Sequence, residues 1–253
     1  MDHTVMPGMD HTVPAGDGLA ASAPGFRFTT TTATLPAEQS TLFRFQIQAA
    51  DGTPVTAYEP DQTKLMHFYL IRSDLTGFQH IHPELAGDGT WTAPVRALHP
   101  GFYRAYTSFI PQNGSSAAVP LVLSDRVTVT GTAATTPLPP ASTTTQVDGY
   151  TLALAGNITT GRGGVLTVTV SQDGTPVTDL QPYLDTYAHL TAFHQGDLAF
   201  AHLHPEAPAN ADHGGPTLSF HTELPRPGNW RLFVQFQTAG TLHTAAVTFK
   251  VRS

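Results

Sequence analysis

The sequence predicts an all-β protein of two tandem sandwich domains, and three observations carry that prediction. One block of sequence occurs twice at a spacing of 122 residues. Short alternating or β-branched runs recur between Gly, Pro and Asp turns in both halves, as in a sandwich of many short strands. No stretch sustains an i, i+3, i+4, i+7 apolar pattern over three turns, so helix signals are almost absent.

Taken in order, residues 1–25 lack hydrophobic periodicity and read as a flexible Met/His-bearing tail. Residues 26–131 form the first expected sandwich, with strand-like runs at Leu42 to Gln48, Leu65 to Arg72, Phe102 to Phe109 and Val119 to Val129. Residues 132–148 are rich in Pro and Thr and poor in large apolar side chains, which predicts an extended linker. Residues 149–253 repeat the plan, with runs at Tyr150 to Ala155, Val165 to Ser171, Tyr187 to His194, Thr217 to His221, Asn229 to Phe236 and His243 to Val251. P-G-F-Y-R-A-Y from Pro100 and P-G-N-W-R-L-F from Pro227 mark one shared strand, which places Tyr103 and Trp230 at equivalent positions. About seven strands per domain without a disulfide suits an immunoglobulin-like or fibronectin-like module.

Composition excludes several functions. Lys occurs only at Lys64 and Lys250 and the net charge is −7, so no basic footprint for nucleic acid exists. The absence of Cys removes zinc–thiolate, iron–sulfur and Cys-ligated copper sites, leaving His, Met, Asp and Glu as metal ligands. No apolar run approaches the roughly 20 residues of a membrane-spanning helix. The chain opens without a signal sequence, yet its Thr/Ala/Pro/Gly-rich, Lys-poor composition suits an extracytoplasmic protein whose signal has been removed.

The repeated block carries the chemistry. D-G-T-P-V-T at Asp51 returns at Asp173, Pro60 returns as Pro182, and H-x12-H-x-H-P-E occurs at His67, His80 and His82 and again at His189, His202 and His204. In the first copy, S-D-L-T-G joins two strand-like runs as a hairpin. Centred near Asp74 and Leu75, that hairpin sets Tyr69 opposite His80 and His67 opposite His82, so that all three imidazoles share one face. Three histidines converging in this way are expected to hold a metal, one ion per domain. His243 is a candidate fourth ligand in the second domain, and Glu84 and Glu206 are either exposed turn residues or carboxylates that orient a ligand imidazole. The tail adds His3, Met6, Met9 and His11, whose thioethers favour Cu(I).

The stretch K-L-M-H-F-Y-L-I-R-S-D-L-T-G-F-Q-H-I-H-P-E, followed by the P-G-x-[YW]-R strand, resembles a family of secreted bacterial tandem-repeat proteins found with copper- and heavy-metal-handling systems. The tail is similar to Met/His segments of periplasmic copper-resistance proteins. The resemblance implies metal handling outside the cytoplasm, with a copper transporter or efflux component as partner. The expected function is copper buffering or transfer, with zinc as the alternative ion. Two other classes stay open: a metalloenzyme using an open three-His zinc or type-2 copper site, and a metal-free immunoglobulin-like adhesion or interaction module.

Overall fold

Period-two burial sets the strands: Phe43, Phe45 and Ile47 are buried where the intervening Leu42 and Arg44 face solvent. The computed structural model describes residues 17–112, 120–203 and 205–253, and of His202 the backbone alone. The first half contains β1 (Ser22–Ala23), β2 (Phe26–Thr30), β3 (Thr34–Leu35), β4 (Thr41–Ala49), β5 (Tyr58–Glu59), β6 (His67–Arg72), β7 (Gln79–Ile81), β8 (Glu84–Leu85), β9 (Thr90–Val95), β10 (Gly101–Pro111) and β11 (Leu121–Val129). The second contains β12 (Thr144–Val147), β13 (Tyr150–Ala155), β14 (Gly164–Gln172), β15 (Thr175–Pro176), β16 (Ala188–His194), β17 (Phe200–Leu203), β18 (Thr217–Thr222), β19 (Gly228–Thr238) and β20 (Thr241–Val251). The fold is all-β, two tandem immunoglobulin-like sandwiches, and among the described residues no helix is long and apolar enough to cross a membrane.

In the first sandwich an outer sheet, β1-β2-β4-β9-β8, packs on an inner sheet, β3-β11-β10-β6-β7. Phe28, Phe43, Phe45, Phe68 and Trp91 fill the space between, and the Trp91 indole donates to the Tyr58 hydroxyl at 3.1 Å. The second sandwich pairs β12-β13-β14-β15, with β18 beside β14, against an inner sheet β17-β16-β19-β20. Leu166, Val168, Leu190, Trp230 and Phe236 form its core. Tyr103 and Trp230 are equivalent, as expected: Tyr103 pairs with Arg72 and Trp230 with His194. The Tyr103 hydroxyl and the Trp230 indole N–H each donate, at 3.0 Å, to the carbonyl four residues earlier, His99 and Arg226.

The two inner sheets also bury their other faces against one another. All six residues of β6 are buried, Phe68 and Leu70 in their own core and Tyr69 and Ile71 in a third cluster with Tyr106, Phe193, Phe200 and Phe233. Phe78 stacks on Phe233 across the interface with ring centroids 4.1 Å apart, and the Tyr106 hydroxyl donates to the Leu198 carbonyl. The molecule is thus four sheets deep at this point.

Two expected flexible segments are partly built in. Of the tail, residues 17–20 lace the domains together: Phe200 N donates to Asp17 O at 2.9 Å, Arg226 pairs with the Asp17 carboxylate, and Arg104 and Ser124 donate to the Leu19 and Gly18 carbonyls. Gly18 has φ of 68°, and a Cβ there would meet Val122 at 2.9 Å, so both backbone and space require glycine. The expected linker ends early, because its last residues form β12 on β13 and Ser142 N donates to Thr248 O. Its composition misleads because Thr suits an edge strand as readily as a linker.

Replacing Tyr106 by Phe removes only the hydroxyl and strands the Leu198 carbonyl, which should cost about 1–3 kcal/mol. Chemical unfolding should show both halves melting together in the wild type; two separated transitions would mean that the shared interface does not couple them.

Candidate metal centre

The histidine face is set by the β6–β7 hairpin. Its turn holds Leu75 and Gly77 at positive φ, 65° and 66°, and is tied by Asp74, whose carboxylate accepts from Thr76 N, Thr76 Oγ1 and Arg72. Burial pulls the Asp74 carboxyl upward, but hydrogen bonds from Arg72, Thr136 and Thr76 prevail and hold it at about 2. With the turn pinned as an anion, the register puts Phe68 opposite Ile81 and Tyr69 opposite His80, as the sequence predicts. His67 and His82 then meet where the hairpin opens, with ring centroids 5.1 Å apart.

His67, His80 and His82 each offer a ring nitrogen within 4.8 Å of the others. The closest pair is His67 Nδ1 and His80 Nε2 at 3.0 Å. The outer nitrogens of these two rings face oxygen acceptors: His67 Nε2 lies 3.0 Å from the Asp61 carbonyl, and His80 Nδ1 lies 2.7 Å from Gln235 Oε1. A carbonyl oxygen only accepts, so each outer nitrogen carries its ring's proton. In the neutral rings, His67 Nδ1 and His80 Nε2 therefore present lone pairs to one another. Two such lone pairs repel unless a cation lies between them, and nitrogens bound to one metal at about 2.0–2.1 Å stand about 3 Å apart.

A proton is a poor candidate for that cation. Burial lowers His67 despite the opposing pull of Asp61, and burial followed by repulsion from His67, His189 and His82 holds His80 well below the ordinary imidazole value. Burial, His67 and Lys64 bring His82 down to about 3. All three rings are neutral at pH 7, the state a metal requires.

The carbonyl that orients His67 comes from a strained turn. Asp61 and Lys64 exchange both backbone hydrogen bonds, 2.8 and 2.9 Å, around Gln62 and Thr63 at φ of 44° and 68°. Two consecutive left-handed residues make a type I′ turn, which ordinarily takes Asn or Gly. The second copy repeats it without glycine: Tyr183 and Thr186 bracket Leu184 and Asp185 at 56° and 60°, and the Tyr183 ring meets His189 edge-on at 5.6 Å.

The remaining candidates divide. His189 is buried with its ring 6.0 Å from His67 and 5.7 Å from His80, but its ring nitrogens do not join the group that His67, His80 and His82 form. The backbone of His202 pairs with Thr191 as that of His80 pairs with Tyr69. His204, His3, Met6, Met9 and His11 lie outside the described residues. His243 does not join: Gln235 and Thr244 pair on the histidine face of the sheet, whereas Phe236 and His243 pair on the opposite, core face. There His243 bonds Asp148 at 2.8 Å and Thr238 at 2.9 Å and packs on Tyr150, so the fourth-ligand expectation for it is corrected. Glu84 and Glu206 are exposed, and among the described residues neither carboxylate bonds a histidine. Sequence reasoning missed Asp61 and Gln235, since a backbone acceptor and a glutamine from the other domain leave no local pattern. A groove lined by Thr63, Lys64, Met66, Pro83 and Leu85 reaches His82 from solvent.

No curated protein matches the chain. Among solved structures, it is similar to the Escherichia coli adhesin FdeC, at 15% identity over 92% of this chain and 66% of that one, with a TM-score of 0.28. It is also similar to domains 4 and 5 of the S-layer protein SbsC, at 12% identity over 92% of this chain and 100% of that one, with a TM-score of 0.27. A third likeness is to the Ig1-2 module of the Drosophila receptor protein tyrosine phosphatase DLAR, at 10% identity over 90% and 100%, with a TM-score of 0.21. Likenesses this slight say nothing of what the chain binds or where it works. The repeat itself is matched: residues 21–126 and 145–253 fit the family model described as a domain of unknown function, and the chain belongs to that family, DUF8832.

Proposed function

We propose that this is an extracytoplasmic metal-binding protein that buffers or passes on copper, with zinc as the alternative ion, and that His67, His80 and His82 hold the metal. The reading is carried by one observation: His67 Nδ1 and His80 Nε2 stand 3.0 Å apart while both outer nitrogens face oxygen acceptors. Three imidazoles without thiolate suit Cu(II) and Zn(II), and Cu(II) heads the affinity order for nitrogen ligands. A site with a buried ligand and, among the described residues, no carboxylate bonded to its histidines suits holding and releasing an ion better than turning over a substrate. The competing reading is a metal-free immunoglobulin-like interaction module, and metal titration decides between them. The proposal extends to His3, Met6, Met9 and His11 as a Cu(I)-capturing segment delivering to a transporter or efflux partner.

Calorimetric titration of the full chain should show tight binding of Cu(II) or Zn(II). A His80→Ala, His82→Ala double variant should lose that binding, and Gln235→Leu should weaken it about 10–100-fold by releasing the His80 ring. No uptake by the wild type would leave the interaction module.

Metal-free stability should depend on pH. These imidazoles titrate near 6.5 in the unfolded chain and lower in the fold, so between those values the unfolded chain binds more protons. Stability is complete above about pH 6.5 and falls with pH, down to about 3 for His82, by about 1.4 kcal/mol per pH unit for each ring that stays neutral. Equal urea midpoints at pH 7 and pH 5 would contradict the burial of the trio.

A peptide of residues 1–12 should prefer Cu(I) to Zn(II) through Met6 and Met9. If changing both to Leu leaves Cu(I) affinity intact, the tail has no part in capture.

A further inference from the structure

The three histidines of the site are not held alike. His67 and His80 are each fixed from behind, by the Asp61 carbonyl at 3.0 Å and by Gln235 Oε1 at 2.7 Å. His82 has no such acceptor: its Nε2 is buried without a hydrogen bond among the described residues, and its ring lines the groove that opens to solvent. His67 is wholly buried, so the groove at His82 is the side from which a further ligand can approach. Three neutral imidazoles leave a four-coordinate ion one position short, and they bring no charge to offset its own.

The charges around the site are unevenly placed. Asp61 favours a proton on His67, whereas Lys64 disfavours one on both His67 and His82. At His67 the two oppose one another; at His82 the effect of Lys64 has no such counterweight. Lys64 is half-buried, lies along the groove with His82, and makes no ion pair among the described residues. Of the residues lining the groove the one carboxylate is Glu84, which is exposed. A divalent ion held by the trio and the Lys64 ammonium therefore repel one another in a partly buried setting, where screening is weak. An anion bound between them turns that repulsion into two attractions.

We propose that the groove beside His82 is an anion subsite, in which a small oxyanion of the carboxylate or carbonate class binds the metal at the position the three histidines leave open and pairs with the Lys64 ammonium. The proposal rests on the metal-binding reading above and adds the class of its fourth ligand. Metal and anion then bind with positive cooperativity, each raising the affinity of the other by the same factor. Departure of the anion leaves a dication facing an ammonium, which loosens the metal for transfer.

The test uses the full chain loaded with Cu(II), with azide as a spectroscopic probe and acetate and bicarbonate as competing ions. Azide should add a charge-transfer band that saturates, and acetate or bicarbonate should displace it. Lys64→Met should weaken azide binding about tenfold, yet raise Cu(II) affinity in anion-poor buffer because a like charge is gone. Lys64→Arg should restore azide binding. Zn(II) should bind the wild type more tightly with bicarbonate than without, and that gain should vanish in Lys64→Met. Equal azide affinity in Lys64→Met and wild type would overturn the subsite. So would a Cu(II)-loaded wild type without an azide band, and a band gained only in Glu84→Gln would make Glu84 itself the fourth ligand. No uptake of Cu(II) by the wild type would instead remove the metal reading on which the subsite rests.

Discussion

The structure depends on burial of both faces of its central strands. An antiparallel sandwich normally leaves one face of each sheet in water and shows a clean polar alternation. In β6 and β16 that alternation fails, because Tyr69, Ile71 and Phe193 leave their own cores only to enter the cluster between the domains. At roughly 1.5–3 kcal/mol for each large side chain buried, such a cluster outweighs the ordinary flexibility of a two-domain chain. The same docking carries His67 and His189 out of water, both fully buried, and brings the Gln235 amide to His80.

Desolvation then governs the chemistry. An imidazolium in this setting would lose more in hydration than the pull of Asp61 on His67 returns, so the rings stay neutral and keep their lone pairs. Neutral rings are cheaper to bury, but they bring nitrogens together that repel unless something positive lies between them. The local backbone reinforces the arrangement at a cost. Gln62 and Thr63 both occupy the left-handed region, at about 1–3 kcal/mol each for residues of this kind, and the turn they form aims the Asp61 carbonyl at His67. Strain of that size persists where surrounding contacts impose it, and its recurrence at Leu184 and Asp185 ties it to the repeated histidine strand rather than to one accident of packing.

Much of this was legible in the sequence. The strand runs, the tandem repeat and the Tyr69–His80 register follow from period-two geometry and a recognisable turn, both local properties. The parts that were not legible are non-local. Asp61 acts through its carbonyl, which every residue has. Gln235 lies 155 residues from its partner His80, and nothing in R-L-F-V-Q-F marks it as more than a polar position on a strand. His243 misleads for a different reason: a histidine near the start of the last strand suggests a ligand, but one step along a strand reverses the face. The unpatterned apolar face of β6 is itself the sign that a second sheet covers it.

The two copies are not equal partners. Ser108 pairs with His67 in the first domain as Gln235 pairs with His189 in the second, so the two positions correspond across the repeat. A glutamine is long enough to cross the interface and fix the proton on His80. Serine is not: its hydroxyl is buried and makes no hydrogen bond among the described residues. An unmet buried hydroxyl costs about 1–3 kcal/mol, whereas the glutamine recovers its desolvation in the bond to the ring. The second domain therefore orients His80 of the first through a contact for which Ser108, at the corresponding position, offers no equal. Duplication supplied two similar histidine strands, and docking lets a side chain of the second domain orient a ring of the first.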